Sequence, residues 1–190
     1  MTGFFAMISR MKYIDRWGLM NNTRTENISE HSLEVAILAH ALVNIAKIRF
    51  GETLDADRAA VLGMFHDSSE ILTGDMPTPV KYYNPDIKTA YKAVERVAGE
   101  KLSDMLPEDL RDIYRPLLCG EDDVLEPYVK AADKLSALIK CIEEVRMGNN
   151  EFLKAKSATE EALNGMELPA LKVFMEECLP AYYLTLDELG

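Results

Sequence analysis

Apolar side chains recur every three or four positions along most of the chain, which is the period of an amphipathic helix. The N-terminal segment is an example, with apolar residues at Phe4, Met7, Ile8, Met11 and Ile14. This series predicts a first helix. Trp17-Gly18 then breaks the pattern, and the polar residues 21–29 (NNTRTENIS) predict a loop.

The next helix is predicted over about residues 30–48, with Ser29 as its N-cap. Its apolar residues are Leu33, Val35, Ile37, Leu38, Leu42, Val43 and Ile45. Because they occupy most sides of the helix, we expect it to be central and buried.

Asp55 is the expected N-cap of a third helix, which the pattern extends through HDSSEIL to about Thr73-Gly74. The proline-rich segment GDMPTPVKYYNP that follows predicts an extended loop. Asn84 followed by Pro85 has the form of an N-cap with proline at the first helical position. This pair therefore predicts the start of another helix.

The second half of the chain continues in the same way. Pro107 begins a short helix that Pro116 ends or kinks, and residues 127–148 predict a long helix that stops at Gly148. Two more helical patterns follow, divided near residues 165–169. We find no strand-like alternation, internal repeat or linker, so the pattern predicts an all-α fold with residues 1–190 as a single compact domain.

Composition narrows the function classes. The net charge of −11 disfavours nucleic-acid polymers as partners, whereas a bound cation with an arginine could still hold a small anion. The three cysteines form no Cys-x-x-Cys pair, which indicates a reducing compartment. No signal-peptide pattern or membrane-length apolar run is present, so we expect a soluble cytoplasmic protein without membrane contact.

Histidine is scarce, with only His31, His40 and His66 in the chain. His66 is followed by Asp67, and an imidazole with a carboxylate is a common ligand pair for divalent metals. His31 is a candidate third ligand at the start of a helix. His40 lies nine residues later, about 180° around that helix, so we expect it to be structural.

Asp133 is the candidate fourth ligand, since it lies among apolar residues inside a predicted helix. An ion pair of Asp133 with Lys130 or Lys134 on a solvent-facing side explains the same spacing equally well. The spacing alone does not decide between a metal ligand and an ion pair for Asp133.

The order His31, His66-Asp67 and Asp133 resembles the HD-domain superfamily of metal-dependent phosphohydrolases. The strings RWGLMNNTRTENISEHSLEVAILAHAL, MFHDSSEILTGDMPTPVKYYNP and VKAADKLSALIKCIEE are similar to its YfbR-like 5'-deoxynucleotidase branch. That resemblance implies an HD-type helical bundle, typically a homodimer, that hydrolyses deoxyribonucleoside 5'-monophosphates. It also implies one divalent ion held by His31, His66, Asp67 and Asp133, with cobalt or manganese expected and copper, zinc, iron or magnesium as alternatives.

The resemblance further implies how the substrate is bound. Arg16 would orient the phosphate, Trp17 would exclude the ribose 2'-hydroxyl, and Glu70 would assist proton transfer. The full set of implied substrate contacts is Arg16, Trp17, His31, Asp67, Glu70, Asp75 and Thr78.

Four of these residues also have a plain structural interpretation. Arg16 could be an exposed helix-end residue, Trp17 could only pack that end, and Asp75 could cap a turn. Glu70 lies four residues after His66, so we expect both on one helix face, but a surface salt bridge would give the same spacing. The roles of Arg24, Glu30 and Lys81 stay open.

Two other functions compete with a deoxynucleotidase. One is another HD phosphohydrolase, such as a phosphodiesterase or a guanosine tetraphosphate hydrolase. Binuclear phosphodiesterases generally need more histidines than this chain offers. The other is a nucleotide-binding module without catalysis, in which we would expect at least one of the four ligands to be missing.

Overall fold

The computed structural model describes residues 2–81 and 83–190, and of Thr78 the backbone only. Within these residues the fold is all-α, as predicted, and the one β-bridge is an isolated antiparallel pair between Asp15 and Asn27. The α-helices are α1 (Phe4–Ile8), α2 (Ile28–Phe50), α3 (Ala56–Phe65), α4 (Glu70–Thr73), α5 (Thr78–Lys81), α6 (Pro85–Asp104), α7 (Glu108–Cys119), α8 (Glu126–Arg146), α9 (Leu153–Asn164) and α10 (Pro169–Glu177). Short 3₁₀ helices follow α1 at Ser9–Tyr13 and precede α9 at Asn150–Phe152, and two more, Leu179–Tyr183 and Leu186–Glu188, follow α10.

The chain divides into two units. The first contains Met1–Leu19, Thr25–Ser32 and Met64–Asp122, and the second contains Met20–Arg24, Leu33–Gly63 and Asp123–Gly190. The prediction that residues 1–190 form a single domain stays a prediction. Within the described residues, no helix is both long enough and apolar enough to span a bilayer.

The first unit is organised around the α6–α7 pair. Its core contains Phe4, Leu102, Leu106 and Leu118, all at most 5% exposed. Gly99 permits the close helix approach, since a Cβ there would lie 2.6 Å from the carbonyl oxygen of Leu118. This unit therefore holds the N-terminal helix against the middle of the chain.

The second unit contains most of α2 and most of α3, together with α8, α9 and α10. α8 supplies much of its core through Leu135, Leu138, Ile139 and Ile142, which are at most 1% exposed. α2 is less buried than predicted: Leu33 is 58% exposed and Ile37 is 60% exposed. An apolar pattern on most sides of a helix therefore does not by itself establish that every side is covered.

A buried polar cluster in the second unit holds the loop of residues 20–24. The Glu144 carboxylate accepts hydrogen bonds from Lys140, from the backbone N–H and hydroxyl of Thr23, and from Asn149. Burial opposes the charged form, but these donors outweigh it and hold the pKa of Glu144 below its usual range. Lys140 also donates to the carbonyl of Arg24 at 2.5 Å. The loop is therefore held through the backbone N–H of Thr23 and through the backbone carbonyl of Arg24.

Several helix boundaries differ from the predictions. α2 begins at Ile28, and Asn27 rather than Ser29 caps it, because Asn27 Oδ1 accepts from the N–H groups of Ser29 and Glu30 at 3.0 and 3.1 Å. The prediction for Asp55 is confirmed, since its Oδ1 accepts from the N–H of Arg58. Asn84 likewise caps α6, with Pro85 at the first helical position.

Two further corrections concern the middle of the chain. The third helix does not run through HDSSEIL, because α3 ends at Phe65 and residues 66–69 form a turn before α4. The proline-rich segment is not fully extended, since its residues Thr78–Lys81 form α5. Prolines are compatible with a first helical turn, where the N–H has no intrahelical partner, and the sequence prediction overlooked this.

Candidate metal centre and substrate pocket

Three of the four predicted ligands come together within the first unit. The Nε2 atoms of His31 and His66 lie 3.4 and 3.1 Å from the same oxygen, Oδ2 of Asp67. The two imidazole rings lie 5.1 Å apart at their centroids. His31 is fully buried, and His66 and Asp67 are partly buried.

Local structure explains this convergence. The Asn27 cap fixes the first turn of α2 and so places His31 at the buried end of that helix. His66 and Asp67 lie in the tight turn that follows α3, where the N–H of Glu70 donates to the carbonyl of Asp67. The turn brings two adjacent side chains to one side, which adjacent residues of a regular helix do not achieve.

The spacing of these atoms fits a divalent ion. Nitrogen and oxygen ligands lie about 2.1 Å from such an ion, so neighbouring ligand atoms lie roughly 3.0–3.4 Å apart at octahedral or tetrahedral angles. Burial opposes the charged form of Asp67, but the neighbouring His66 and His31 outweigh it and hold the pKa of Asp67 well below its usual range. Asp67 is therefore ionised at neutral pH, as a metal ligand must be.

The contact between Arg16 and His31 determines which nitrogen of the His31 ring carries the proton. Arg16 Nη1 lies 2.8 Å from His31 Nδ1, and because a guanidinium only donates, this contact leaves the ring proton of neutral His31 on Nε2. Ligation through Nε2 requires the other tautomer, with the proton on Nδ1. Glu26 Oε1, which lies 3.9 Å from Nδ1, is the carboxylate on that side of the ring. Ligation through Nε2 therefore requires Arg16 to release His31.

Glu70 is a buried carboxyl group, with 5% of the residue exposed. Burial and the nearby charges of Asp67 and Asp75 raise the pKa of Glu70 to about 10, although Arg16 and Lys81 act in the opposite direction. Its Oε2 has no hydrogen-bond partner among the described residues. The prediction that His66 and Glu70 share one helix face is wrong, since His66 lies in a turn and Glu70 begins α4. The negative charge of Asp67 nevertheless contributes to the raised pKa of Glu70.

Asp75 follows α4 in a loop that α6 secures. Gly74 has φ +75°, and its carbonyl accepts from the Tyr91 hydroxyl at 3.1 Å and from the Thr73 hydroxyl at 3.0 Å. Burial raises the pKa of Asp75 against the opposing effect of Arg16. The Asp75 carboxylate also accepts the backbone N–H of Trp17. The loop therefore carries a partly desolvated carboxyl group next to the Arg16-Trp17 segment.

Lys81 lies at the end of α5 and is half-buried. Its ammonium group donates to Glu95 on α6 at 2.9 Å. Burial opposes the charged form, but Glu95 outweighs it and raises the pKa of Lys81. Lys81 is therefore positively charged and interacts electrostatically with Asp67 and Glu70.

Arg16 and Trp17 meet at a residue that the sequence analysis missed. Glu26 Oε2 accepts from Arg16 Nη1 at 3.1 Å and from Trp17 Nε1 at 2.8 Å. The guanidinium of Arg16 lies 5.8 Å from the centroid of the Trp17 ring. Glu26 falls in the polar stretch predicted as a loop, and its only sequence signal was a carboxylate shortly before the candidate ligand His31.

The remaining candidates belong to the second unit or fall outside the described residues. Asp133 is partly buried on α8 in the second unit, and Lys130, a partner in its alternative interpretation, forms an ion pair with Glu126. His40 is in the second unit, with Nε2 3.5 Å from Asp57. The side chain of Thr78 lies outside the described residues.

Comparison with known proteins gives a family. A model of the family described as 5'-deoxynucleotidase YfbR-like matches residues 3–182. The chain belongs to the YfbR-like 5'-deoxynucleotidase family. It is 52% identical over 189 residues to the 5'-deoxynucleotidase YfbR of Escherichia coli, and the match covers 98% of this chain and 95% of that protein. The resemblance found in the sequence motifs is thereby confirmed.

Solved structures share the fold. An HD-domain phosphohydrolase from Listeria innocua superposes with a TM-score of 0.81 at 25% identity, covering 94% of this chain and 87% of that one. The HD phosphohydrolase DatZ of cyanophage S-2L, solved with dA and one catalytic Zn²⁺ ion, gives a TM-score of 0.65 at 18% identity, covering 95% and 96%. The predicted HD-type all-α fold is therefore confirmed.

Proposed function

We propose that this chain is a metal-dependent 5'-deoxynucleotidase, which converts deoxyribonucleoside 5'-monophosphates to deoxyribonucleosides and phosphate. The observation that carries the proposal is the convergence of the His31 and His66 imidazoles on the Asp67 carboxylate. Family membership and the 52% identical relative named 5'-deoxynucleotidase support the substrate class.

The proposed ligands of one divalent ion are His31, His66, Asp67 and Asp133. The first three are supported by their facing donor atoms, and Asp133 is proposed from the family resemblance. A bound divalent ion would lower the pKa of a water molecule and neutralise phosphate charge. The donor set of nitrogen and carboxylate oxygen suits cobalt or manganese, which we propose ahead of copper, zinc, iron and magnesium.

Arg16 is proposed to orient the phosphate. A guanidinium presents five N–H donors, so it can hold two phosphate oxygens while one N–H still donates to Glu26. The Arg16 side chain is only 12% exposed, which limits competition from water for those donors. Its positive charge also acts against the rise in the pKa of Glu70 and of Asp75.

Glu70 is proposed as the general acid. Its raised pKa, about 10, keeps the carboxyl group protonated near neutral pH. When water attacks phosphorus and the bond from phosphorus to the 5' oxygen breaks, the carboxyl proton of Glu70 passes to that oxygen. The product is then a neutral hydroxyl, which leaves more readily than an alkoxide.

The sugar is proposed to bind against Trp17 and Asp75. Trp17 would fill the space that a ribose 2'-hydroxyl needs, and the partly desolvated Asp75 would accept the 3'-hydroxyl. Thr78 is proposed as a further pocket residue from the resemblance alone. The homodimer and the cytoplasmic location also rest on the resemblance and the cysteine pattern.

Phosphate release from a panel of 5'- and 3'-monophosphates, each with ribose or deoxyribose, tests the proposal. Metal-stripped protein would be assayed with added manganese, cobalt, magnesium or zinc. We expect metal-dependent hydrolysis of the 5'-deoxyribonucleotides in preference to the other classes. Folded protein that releases phosphate from none of them with any metal would contradict the proposal.

A further inference from the structure

Trp17 has an unusual backbone conformation. Its φ is +61°, and among the described residues it is the one non-glycine residue with a positive φ. This region is disfavoured for side chains with a Cβ, and large residues adopt it when surrounding contacts hold them there. Two carboxylates supply such contacts, because Asp75 accepts the backbone N–H of Trp17 and Glu26 accepts its indole N–H.

Glu26 is itself held firmly beside this segment. The antiparallel bridge pairs Asp15 with Asn27, and the N–H of Arg16 donates to the carbonyl of Glu26 at 2.9 Å. The Glu26 side chain is 12% exposed. Its position relative to residues 15–17 is therefore set by backbone hydrogen bonds and does not depend on the carboxylate contacts.

A single oxygen of Glu26 joins the two residues assigned to the phosphate and the sugar. Oε2 accepts from Trp17 Nε1 at 2.8 Å and from Arg16 Nη1 at 3.1 Å. An indole has one N–H, so a hydrogen bond at that atom limits rotation of the ring about its side-chain torsions. Loss of this bond would let the ring turn and open space beside it.

We propose that Glu26 is a positioning residue that fixes the Trp17 indole and thereby sets the preference for deoxyribose over ribose. This inference rests on the proposed deoxynucleotidase function. Glu26 acts through the ring of Trp17, so its removal alters how well the pocket distinguishes the two sugars. The same carboxylate also keeps Arg16 beside the ring.

The experiment compares Glu26→Ala with Glu26→Gln. Glutamine keeps an oxygen that can accept the indole N–H, whereas alanine removes the acceptor. Glu167→Ala, at an exposed acidic residue before α10, controls for the change in net charge. Circular dichroism would verify that all variants are folded.

Two readouts follow the ring and the specificity separately. Trp17 is the only tryptophan, so intrinsic fluorescence reports on this ring alone. In Glu26→Ala we expect emission at longer wavelength with stronger quenching by acrylamide. We also expect the ratio of kcat/KM for deoxyribo- over ribonucleotide to fall about three- to tenfold, as for loss of one hydrogen bond. Glu26→Gln and Glu167→Ala should stay close to the wild type in both.

The proposal is overturned if folded Glu26→Ala keeps the wild-type emission and sugar ratio. It is also overturned if Glu26→Gln loses the ratio as fully as Glu26→Ala, since the charge and not the indole acceptor would then matter. A wild-type protein that hydrolyses no deoxynucleotide would count against the proposed function instead. In that case the fluorescence comparison still decides whether Glu26 fixes the ring.

Discussion

The raised pKa of Glu70 makes stability depend on pH in a specific direction. In the unfolded chain this carboxyl group titrates near 4.5, and in the folded protein near 10. The folded state therefore binds a proton that the unfolded state has lost across this range. The stability from this group is fully present below the unfolded pKa and is lost as pH rises towards the folded pKa.

The magnitude follows from linkage. Within this window each pH unit removes about 1.4 kcal/mol of stability, so between about pH 6 and pH 8 the loss is roughly 3 kcal/mol. Glu70→Gln has no proton to lose and keeps a similar shape. The difference in free energy of unfolding, wild type minus variant, should therefore fall by roughly that amount between the two pH values.

Urea unfolding of both proteins with all metal chelated, followed by circular dichroism at the two pH values, measures this difference. Contributions from groups that titrate equally in both proteins cancel in the comparison. Glu108→Gln is the matched control, since Glu108 is exposed and its substitution should leave the pH slope unchanged. Parallel pH profiles for wild type and Glu70→Gln would refute the reasoning, because Glu70 would then be ionised and unable to serve as the acid.

Three other predictions address the pocket, the ligands and the packing. Trp17→Ala should reduce the ratio of kcat/KM for deoxyribo- over ribonucleotide by at least about tenfold, measured by phosphate release, and an unchanged ratio would remove Trp17 from that role. Asp133→Asn should remain folded but lose metal in elemental analysis, whereas full retention would favour an ion-pair role. Gly63→Ala should lower stability by about 1–3 kcal/mol in thermal unfolding, because its Cβ would lie 2.8 Å from Ala36 Cα. Gly165→Ala, whose Cβ would meet ordinary contacts at 3.6 Å, should be tolerated.

Helix periodicity and capping chemistry predicted much of the fold. Asn84 with Pro85, and Asp55, start helices because their side chains satisfy N–H groups that every helix leaves without partners. The same rule misplaced the start of α2, since Ser29 and Asn27 are both good caps and only tertiary pairing of residues 15 and 27 favours the second. Local sequence offers several acceptable caps, and long-range contacts select among them.

The motif residues were found from sequence, but their surroundings were not. His66, Asp67 and Glu70 were predicted to share a helix, whereas a turn brings them together. Glu26 was missed because a glutamate in a polar loop carries no periodic signal. The pair Lys140 and Glu144 has the spacing of an ordinary surface ion pair, yet it is buried around the loop of residues 20–24.

The measurement that tests the central claim most directly is a metal titration of the stripped protein. Cobalt or manganese would be added stepwise, and phosphate release from a deoxyribonucleoside 5'-monophosphate would be followed beside Asp67→Asn under the same conditions. We expect activity to rise from near zero and to saturate at one ion per chain, with Asp67→Asn remaining inactive at that ratio. Full activity in the stripped protein, or equal activation of Asp67→Asn, would contradict a metal centre at His31, His66 and Asp67.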